Sequence, residues 1–189
     1  MAQMLLYMLV LSYTPGPNNL TVLYLSSRRG ARGTLRFFLA SALAFFAKCV
    51  LTGLLGEALA DILPEVTRWL KWFGAAYMLY LAYIMARSGW REDAMERESA
   101  GTFRSGLLLQ LLNGKSWIGA LTVYGVYVSS GAANIWVASL CFTGLMIAAS
   151  VLWGAFGVIL NRWISKYKKP FGIIMGASLV YCAVTAILP

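Results

Sequence analysis

Two polar interruptions of otherwise apolar segments hold the residues of this 189-residue chain that are best suited to chemistry. The first, Pro15-Gly16-Pro17-Asn18-Asn19, lies in the middle of an uncharged stretch, residues 1–27. Its two prolines remove two backbone donors, so a helix cannot continue through it without a break. Asn18 and Asn19 lie where a helix would restart, as an N-cap and first turn. The restarted helix would point its positive end at an anionic group; the alternative is a proline kink that only shapes packing.

The second interruption places a lysine among polar side chains in an apolar segment, with Gln110, Asn113, Lys115 and Ser116 close together. A charged lysine at the centre of a bilayer costs about 2.5–3.5 kcal/mol, and such residues normally face a cavity and have a partner. The alternative is that Lys115 lies near enough to a membrane surface to snorkel. Lys48 is a second cation inside an apolar segment. Because no acidic residue shares these segments, one interpretation is that a substrate carboxylate pairs with Lys115, and with less support Lys48.

The composition shows what kind of element must position these groups. The chain is 60% hydrophobic and 12% charged, whereas a soluble domain carries about 25% charged residues. These values exclude a soluble enzyme, a disordered tail and a nucleic-acid binder, despite the net charge of +9. Histidine is absent, and the three cysteines share no metal-ligand spacing: Cys49, Cys141 and Cys182. We therefore expect no metal, no cofactor and no enzymatic activity.

The apolar segments predict an all-α membrane protein with six transmembrane helices in one domain, residues 1–189. Polar stretches separate the segments and are predicted as loops, among them 56–71, Arg87–Arg104 and Arg162–Pro170. The predicted spans are residues 1–27, 37–55, 72–86, 105–128, 135–160 and 171–188.

The charges of the loops predict the orientation of the chain. The first, third and fifth loops hold four Lys or Arg residues each, the second holds two and the fourth none. Cytoplasmic loops retain an excess of Lys and Arg. We therefore expect the odd loops in the cytoplasm and both termini in the periplasm, with the basic loops meeting anionic lipid headgroups.

A shift of the chain by 98 residues aligns its two halves. It places Gly16 on Gly114 and Phe73-Gly74 on Phe171-Gly172. Hydropathy repeats as three spans and three spans, and an odd number of spans forces the second half to insert upside down. The pattern predicts a 3+3 inverted repeat, about 1–91 and 99–189, with helices 1 and 4 broken at corresponding positions. Such broken helices are the best sequence pointer to a transporter's binding site.

In these residues the chain resembles the LysE/RhtB family of amino-acid exporters over essentially its whole length. Where the commoner family pattern has proline between the Asn and the Lys of the fourth span, this chain has Gly114, and it carries Lys48 where many members have an acidic residue. The non-proline Asn-x-Lys element resembles the cysteine/O-acetylserine exporter branch. The matching segments are Thr14–Asn19, Arg28–Gly33, Gly74–Tyr77, Phe103–Gly106, Gln110–Lys115 and Leu179–Val184.

The resemblance implies export of small amino acids or derivatives (cysteine, O-acetylserine, or threonine and homoserine-like compounds) from the bacterial cytoplasm through the inner membrane. It also implies the proton as coupling ion. A small multidrug-type exporter and a non-transport membrane assembly subunit are the alternatives, and the oligomeric state stays open between monomer and homo-oligomer. The expected substrate-binding residues are Pro15, Gly16, Pro17, Asn18, Asn19, Lys48, Gln110, Asn113 and Lys115.

Overall fold

The computed structural model describes residues 1–87, 101–131 and 133–187, and these residues are almost entirely helical. The predicted loop Arg87–Arg104 lies mostly outside them. The α-helices in chain order are α1 (Ala2–Tyr13), α2 (Pro17–Leu54), α3 (Gly56–Arg87), α4 (Phe103–Leu111), α5 (Gly114–Thr122), α6 (Ile135–Lys166) and α7 (Lys168–Ile187), and a π-helix, Val123–Val128, follows α5.

The first predicted span is broken as expected, but it joins the second span through a single residue. Helix α2 contains one non-helical residue, Gly30, with φ 69° and ψ −179°, a backbone conformation that glycine adopts without steric cost. Asn18 and Ser41 would lie about 35 Å apart along a straight helix. Ser41 Oγ instead lies 2.5 Å from Asn18 Oδ1. The two arms of α2, residues 17–29 and 31–54, therefore run antiparallel. The predicted basic loop is therefore a sharp kink.

Two other predicted loops are also wrong. Residues 56–71 belong to α3, and Arg162–Pro170 is helical apart from Tyr167, which separates α6 from α7. Both loop predictions rest on charged residues and on a proline, Pro64 or Pro170. In the first of them the apolar residues recur at the three- and four-residue spacing of an amphipathic helix, at Leu59, Ile62, Leu63 and Val66.

The fourth predicted span is broken in the same way as the first. Helix α4 ends at Leu111 and α5 begins at Gly114, with Leu112 and Asn113 between them. The 98-residue shift carries Tyr13, the last residue of α1, onto Leu111, the last residue of α4. The two breaks thus occupy corresponding positions in the two halves of the chain.

The surface of the bundle suits a membrane, because large apolar side chains are exposed while polar side chains lie inside. The exposed fraction is 63% for Leu140 and 70% for Ile159, whereas Gln110 is 1% exposed. Within the described residues, three helical segments are long and apolar enough to cross a bilayer, residues 17–54, 135–161 and 169–187. The first of them is the segment that Gly30 divides into two arms. Since lipid offers no hydrogen bonds, polar groups must find partners within the bundle.

Two clusters of buried side chains flank the breaks. One joins the first arm of α2 to α3 and α7 through residues such as Leu25, Met85 and Leu179. The other joins α1, the second arm of α2, the π-helix and α6, and includes Phe45 and Phe142. At the breaks themselves, Gly16 and Asn113 are buried, whereas Thr14, Pro15 and Leu111 are exposed.

Candidate functional site

A cleft lies between the two breaks. Its volume is about 40 Å³, well below the roughly 300–1,000 Å³ of small-molecule sites, so the cleft is nearly closed in this conformation. One part of its wall is apolar and the other carries amides, hydroxyls and one amine. The lining residues are Leu11, Ser12, Gly16, Asn18, Asn19, Phe45, Gln110, Asn113, Lys115, Ser116, Phe142 and Met146.

At the first break the helix restarts two residues earlier than the sequence predicted, with its N-cap at Gly16 instead of Asn18. Gly16, with extended backbone, is the N-cap of α2, and Pro17 occupies the first helical position, where its missing N–H costs nothing. Asn18 and Asn19 therefore lie in the first turn, and the prediction that an asparagine is the N-cap was wrong. The Asn19 side chain instead donates from Nδ2 to the carbonyl oxygens of Ser12, at 2.8 Å, and Thr14, at 3.1 Å.

Lys115 crosses from the second break to the first. Its Nζ donates to the carbonyl oxygen of Thr14 at 3.0 Å and to that of Pro15 at 3.4 Å. A Cβ atom built on Gly16 would lie 3.2 Å from both Cδ and Nζ of Lys115. The absence of a side chain at Gly16 therefore gives this amine its room.

Lys48 binds a backbone carbonyl at the second break, as Lys115 does at the first. It is 2% exposed, and its Nζ donates to the Gln110 carbonyl and, at 2.6 Å, to the Ser116 hydroxyl. The amine also lies 4.7 Å from the centre of the Trp117 ring, within cation–π distance. Trp117 in turn donates from Nε1 to the Leu111 carbonyl at 2.7 Å.

The interpretation that both lysines lack a protein partner is therefore corrected. It considered only carboxylates as partners, and the transmembrane segments have none. A helix break exposes carbonyl oxygens, and these accept hydrogen bonds from an amine without adding charge. Lys115 binds the carbonyls of the first break, and Lys48 binds a carbonyl of the second.

A cluster of buried amides and hydroxyls closes one side of the cleft. Asn18 donates from Nδ2 to the Ser150 hydroxyl at 3.2 Å, and the Ser41 hydroxyl donates to Asn18 Oδ1 at 2.5 Å. Ser41 also lies 3.5 Å from Oε1 of Gln110. This cluster links both breaks to the second arm of α2 and to α6.

The structure brings together most of the predicted site residues, but not all of them. Gly16, Asn18, Asn19, Gln110, Asn113 and Lys115 all line the cleft. Of the remaining predicted residues, Pro15 and Pro17 shape the break, and Lys48 holds the second break beside the cleft. Sequence reasoning missed Ser12, Ser41 and Ser150, for which a polar residue within an apolar segment was the available signal.

The electrostatics of the cleft suit a zwitterion. The amino-terminal ends of α2 and α5 reach it through Asn18 and Lys115, and helix starts favour anions. The carboxy-terminal end of α1 reaches it through Ser12, and helix ends favour cations. Because Lys115 donates to the Thr14 carbonyl at this end of α1, the groups that favour an anion and those that favour a cation lie side by side, as the two charges of an α-amino acid do.

Comparison with known proteins points the same way as the geometry. The family model described as LysE type translocator matches residues 9–188. The chain is 30% identical over 181 residues to the cysteine/O-acetylserine efflux proteins of Escherichia coli strain K12 and of Shigella flexneri, covering 94% of this chain and 92% of each relative. No solved structure matches it significantly.

Proposed function

This chain belongs to the LysE type translocator family, and from that membership and the cleft we propose that it exports a small amino acid or derivative, cysteine or O-acetylserine first among them. It is a multi-pass transporter of the inner membrane and not an enzyme. The two candidate substrates come from the names of its relatives.

The observation that carries the proposal is the convergence of both helix breaks on one cleft, with Lys115 between them. In the loaded state the substrate carboxylate binds Lys115 and the amino-terminal ends of α2 and α5. The side-chain amides of Asn18 and Asn19 flank this carboxylate. Charge-assisted hydrogen bonds of this kind are about twice as strong as neutral ones. The apolar wall formed by Phe45, Phe142 and Met146 then contacts the aliphatic part of the substrate.

The proposal includes the membrane arrangement. Six spans form a 3+3 inverted repeat, both termini lie in the periplasm, and the proton motive force drives export. The corresponding positions of the two breaks support the repeat, because inverted-repeat transporters place broken helices at equivalent sites. The excess of Lys and Arg in the first, third and fifth connections between the predicted spans supports the orientation.

Transport by the purified protein tests this function. Proteoliposomes are loaded with labelled cysteine, kept reduced, or with labelled O-acetylserine, and efflux is followed with and without an imposed pH gradient. Accumulation against a substrate gradient that needs the pH gradient supports a proton-coupled carrier. Efflux that only ever runs down the gradient indicates a channel and refutes the coupling.

Two lysine variants connect the function to the cleft. Lys115→Gln removes the amine that we place at the substrate carboxylate, and losing one partner of a buried charge pair costs about 2–5 kcal/mol. Efflux should fall at least about 30-fold at limiting substrate. Lys166→Gln, at the exposed end of α6, is the matched control and should transport normally. Normal efflux by Lys115→Gln places the carboxylate elsewhere.

A further inference from the structure

One buried hydroxyl of the cleft makes no hydrogen bond to the described residues. Ser12 lines the cleft and is 8% exposed. Its Oγ has no hydrogen-bond partner among the residues that the structure describes. Buried polar side chains nearly always have a partner, so each exception needs a reason. If Ser12 only filled space in the core, its unpaired hydroxyl would not contribute to stability.

The position of Ser12 indicates which group of a substrate its hydroxyl would bind. It lies in the last turn of α1, which ends at Tyr13, and the end of a helix carries partial negative charge. The Ser12 and Thr14 carbonyls there accept from the Asn19 amide, and the Thr14 carbonyl also accepts from Lys115. The Ser12 hydroxyl is an acceptor at this helix end that has no partner among the described residues. Broken helices in transporters use such ends to hold cations.

We propose that the Ser12 hydroxyl accepts a hydrogen bond from the α-ammonium group of the substrate. This inference rests on the proposed amino-acid export. It assigns the two charges of the substrate to neighbouring groups of the cleft, the carboxylate to Lys115 and the ammonium to Ser12 at the end of α1. Ser12 is thereby a specificity-determining residue, because it favours amino acids over carboxylic acids of the same size.

The chain offers a matched control for Ser12. Thr143 Oγ1 is the other buried side-chain oxygen without a partner among the described residues, and Thr143 is not part of the cleft wall. Ser12→Ala and Thr143→Val each remove one such hydroxyl and leave the remaining side chain in place. Neither variant breaks a described hydrogen bond, so neither should lower the melting temperature.

The test measures which substrate group Ser12 recognises. Proteoliposomes export whichever of cysteine and O-acetylserine the wild-type protein transports, in competition with analogues that lack one charge. For cysteine these analogues are 3-mercaptopropionate, without the ammonium, and cysteamine, without the carboxylate. Ser12→Ala should raise the KM about tenfold, the size of one hydrogen bond to a charged group, and Thr143→Val should leave it unchanged.

The analogues separate recognition from a structural role. In Ser12→Ala the advantage of cysteine over 3-mercaptopropionate should shrink about tenfold, while its advantage over cysteamine should persist. An unchanged KM, an equal effect on both analogues, or a loss confined to cysteamine overturns the inference and leaves amino-acid export standing. Failure of the wild-type protein to export either compound overturns the proposed function, and the inference with it.

Discussion

Gly16→Ala should impair transport while leaving the fold intact. Gly16 has extended backbone, which alanine adopts freely, so the substitution brings no backbone strain. Its new Cβ would instead lie 3.2 Å from Cδ and Nζ of Lys115. The neighbour is the flexible end of a side chain, so Lys115 can retreat, and the first break keeps its path.

The expected size of the effect follows from these distances. Carbon atoms rest about 3.5–4.0 Å apart, so Lys115 must withdraw by a few tenths of an ångström. Its hydrogen bond to the Thr14 carbonyl is 3.0 Å long and that to the Pro15 carbonyl is 3.4 Å. The first would stretch to about 3.5 Å and the second would be lost. Since a hydrogen bond to a charged group contributes about 1.5–3 kcal/mol, and the lysine can partly readjust, we expect a net loss of about 1–2 kcal/mol.

The assay compares two glycines that the 98-residue shift aligns. A Cβ on Gly114 would meet no atom within 4 Å, so Gly114→Ala is the matched control. Initial rates of efflux from proteoliposomes give kcat/KM for each variant. We expect a decrease of about 5- to 30-fold for Gly16→Ala and little change for Gly114→Ala. Equal activity of the two variants would refute the idea that the position of Lys115 in the cleft matters.

Three further outcomes test the rest of the structure. Lys48→Met should lower the free energy of unfolding by about 1–3 kcal/mol, because the Gln110 carbonyl loses its donor; wild-type melting in detergent would contradict this role. Gly157→Ala should destabilise by about 1–3 kcal/mol, since its Cβ would lie 2.4 Å from the Leu23 carbonyl oxygen, whereas Gly144→Ala meets open space and should melt like the wild type. A periplasmic reporter fused to the carboxy terminus should be active, and activity of a cytoplasmic reporter there would reverse the proposed orientation.

The sequence predicted the breaks better than the loops, for a physical reason. Pro15, Gly16 and Pro17 act on the backbone locally, so their effect on a helix does not depend on the remainder of the chain. Charge, by contrast, is compatible with both loops and exposed helix faces. The charges of residues 56–71 predict a loop, whereas these residues belong to α3.

The residues of the cleft were predictable, but their hydrogen bonds were not. Asn18 and Lys115 stand out because polar groups are costly in apolar segments. Which acceptor each one finds depends on how helices pack. The bond from Lys115 to Thr14 spans 101 positions of the chain, and that from Lys48 to Gln110 spans 62. No local pattern encodes partners at such separations.

The partners of the two breaks have a consequence for how the protein is made. Ribosomes deliver the amino-terminal half first, and the Pro15 carbonyl must then wait for Lys115 from the second half. The second break, in contrast, arrives after Lys48 and finds its donor already in the membrane. The first break therefore acquires this donor only when α5, which carries Lys115, has been made. A truncated chain ending before α5 would lack this donor, and an unsatisfied backbone oxygen in lipid costs several kcal/mol, so such a chain should be less stable in the membrane.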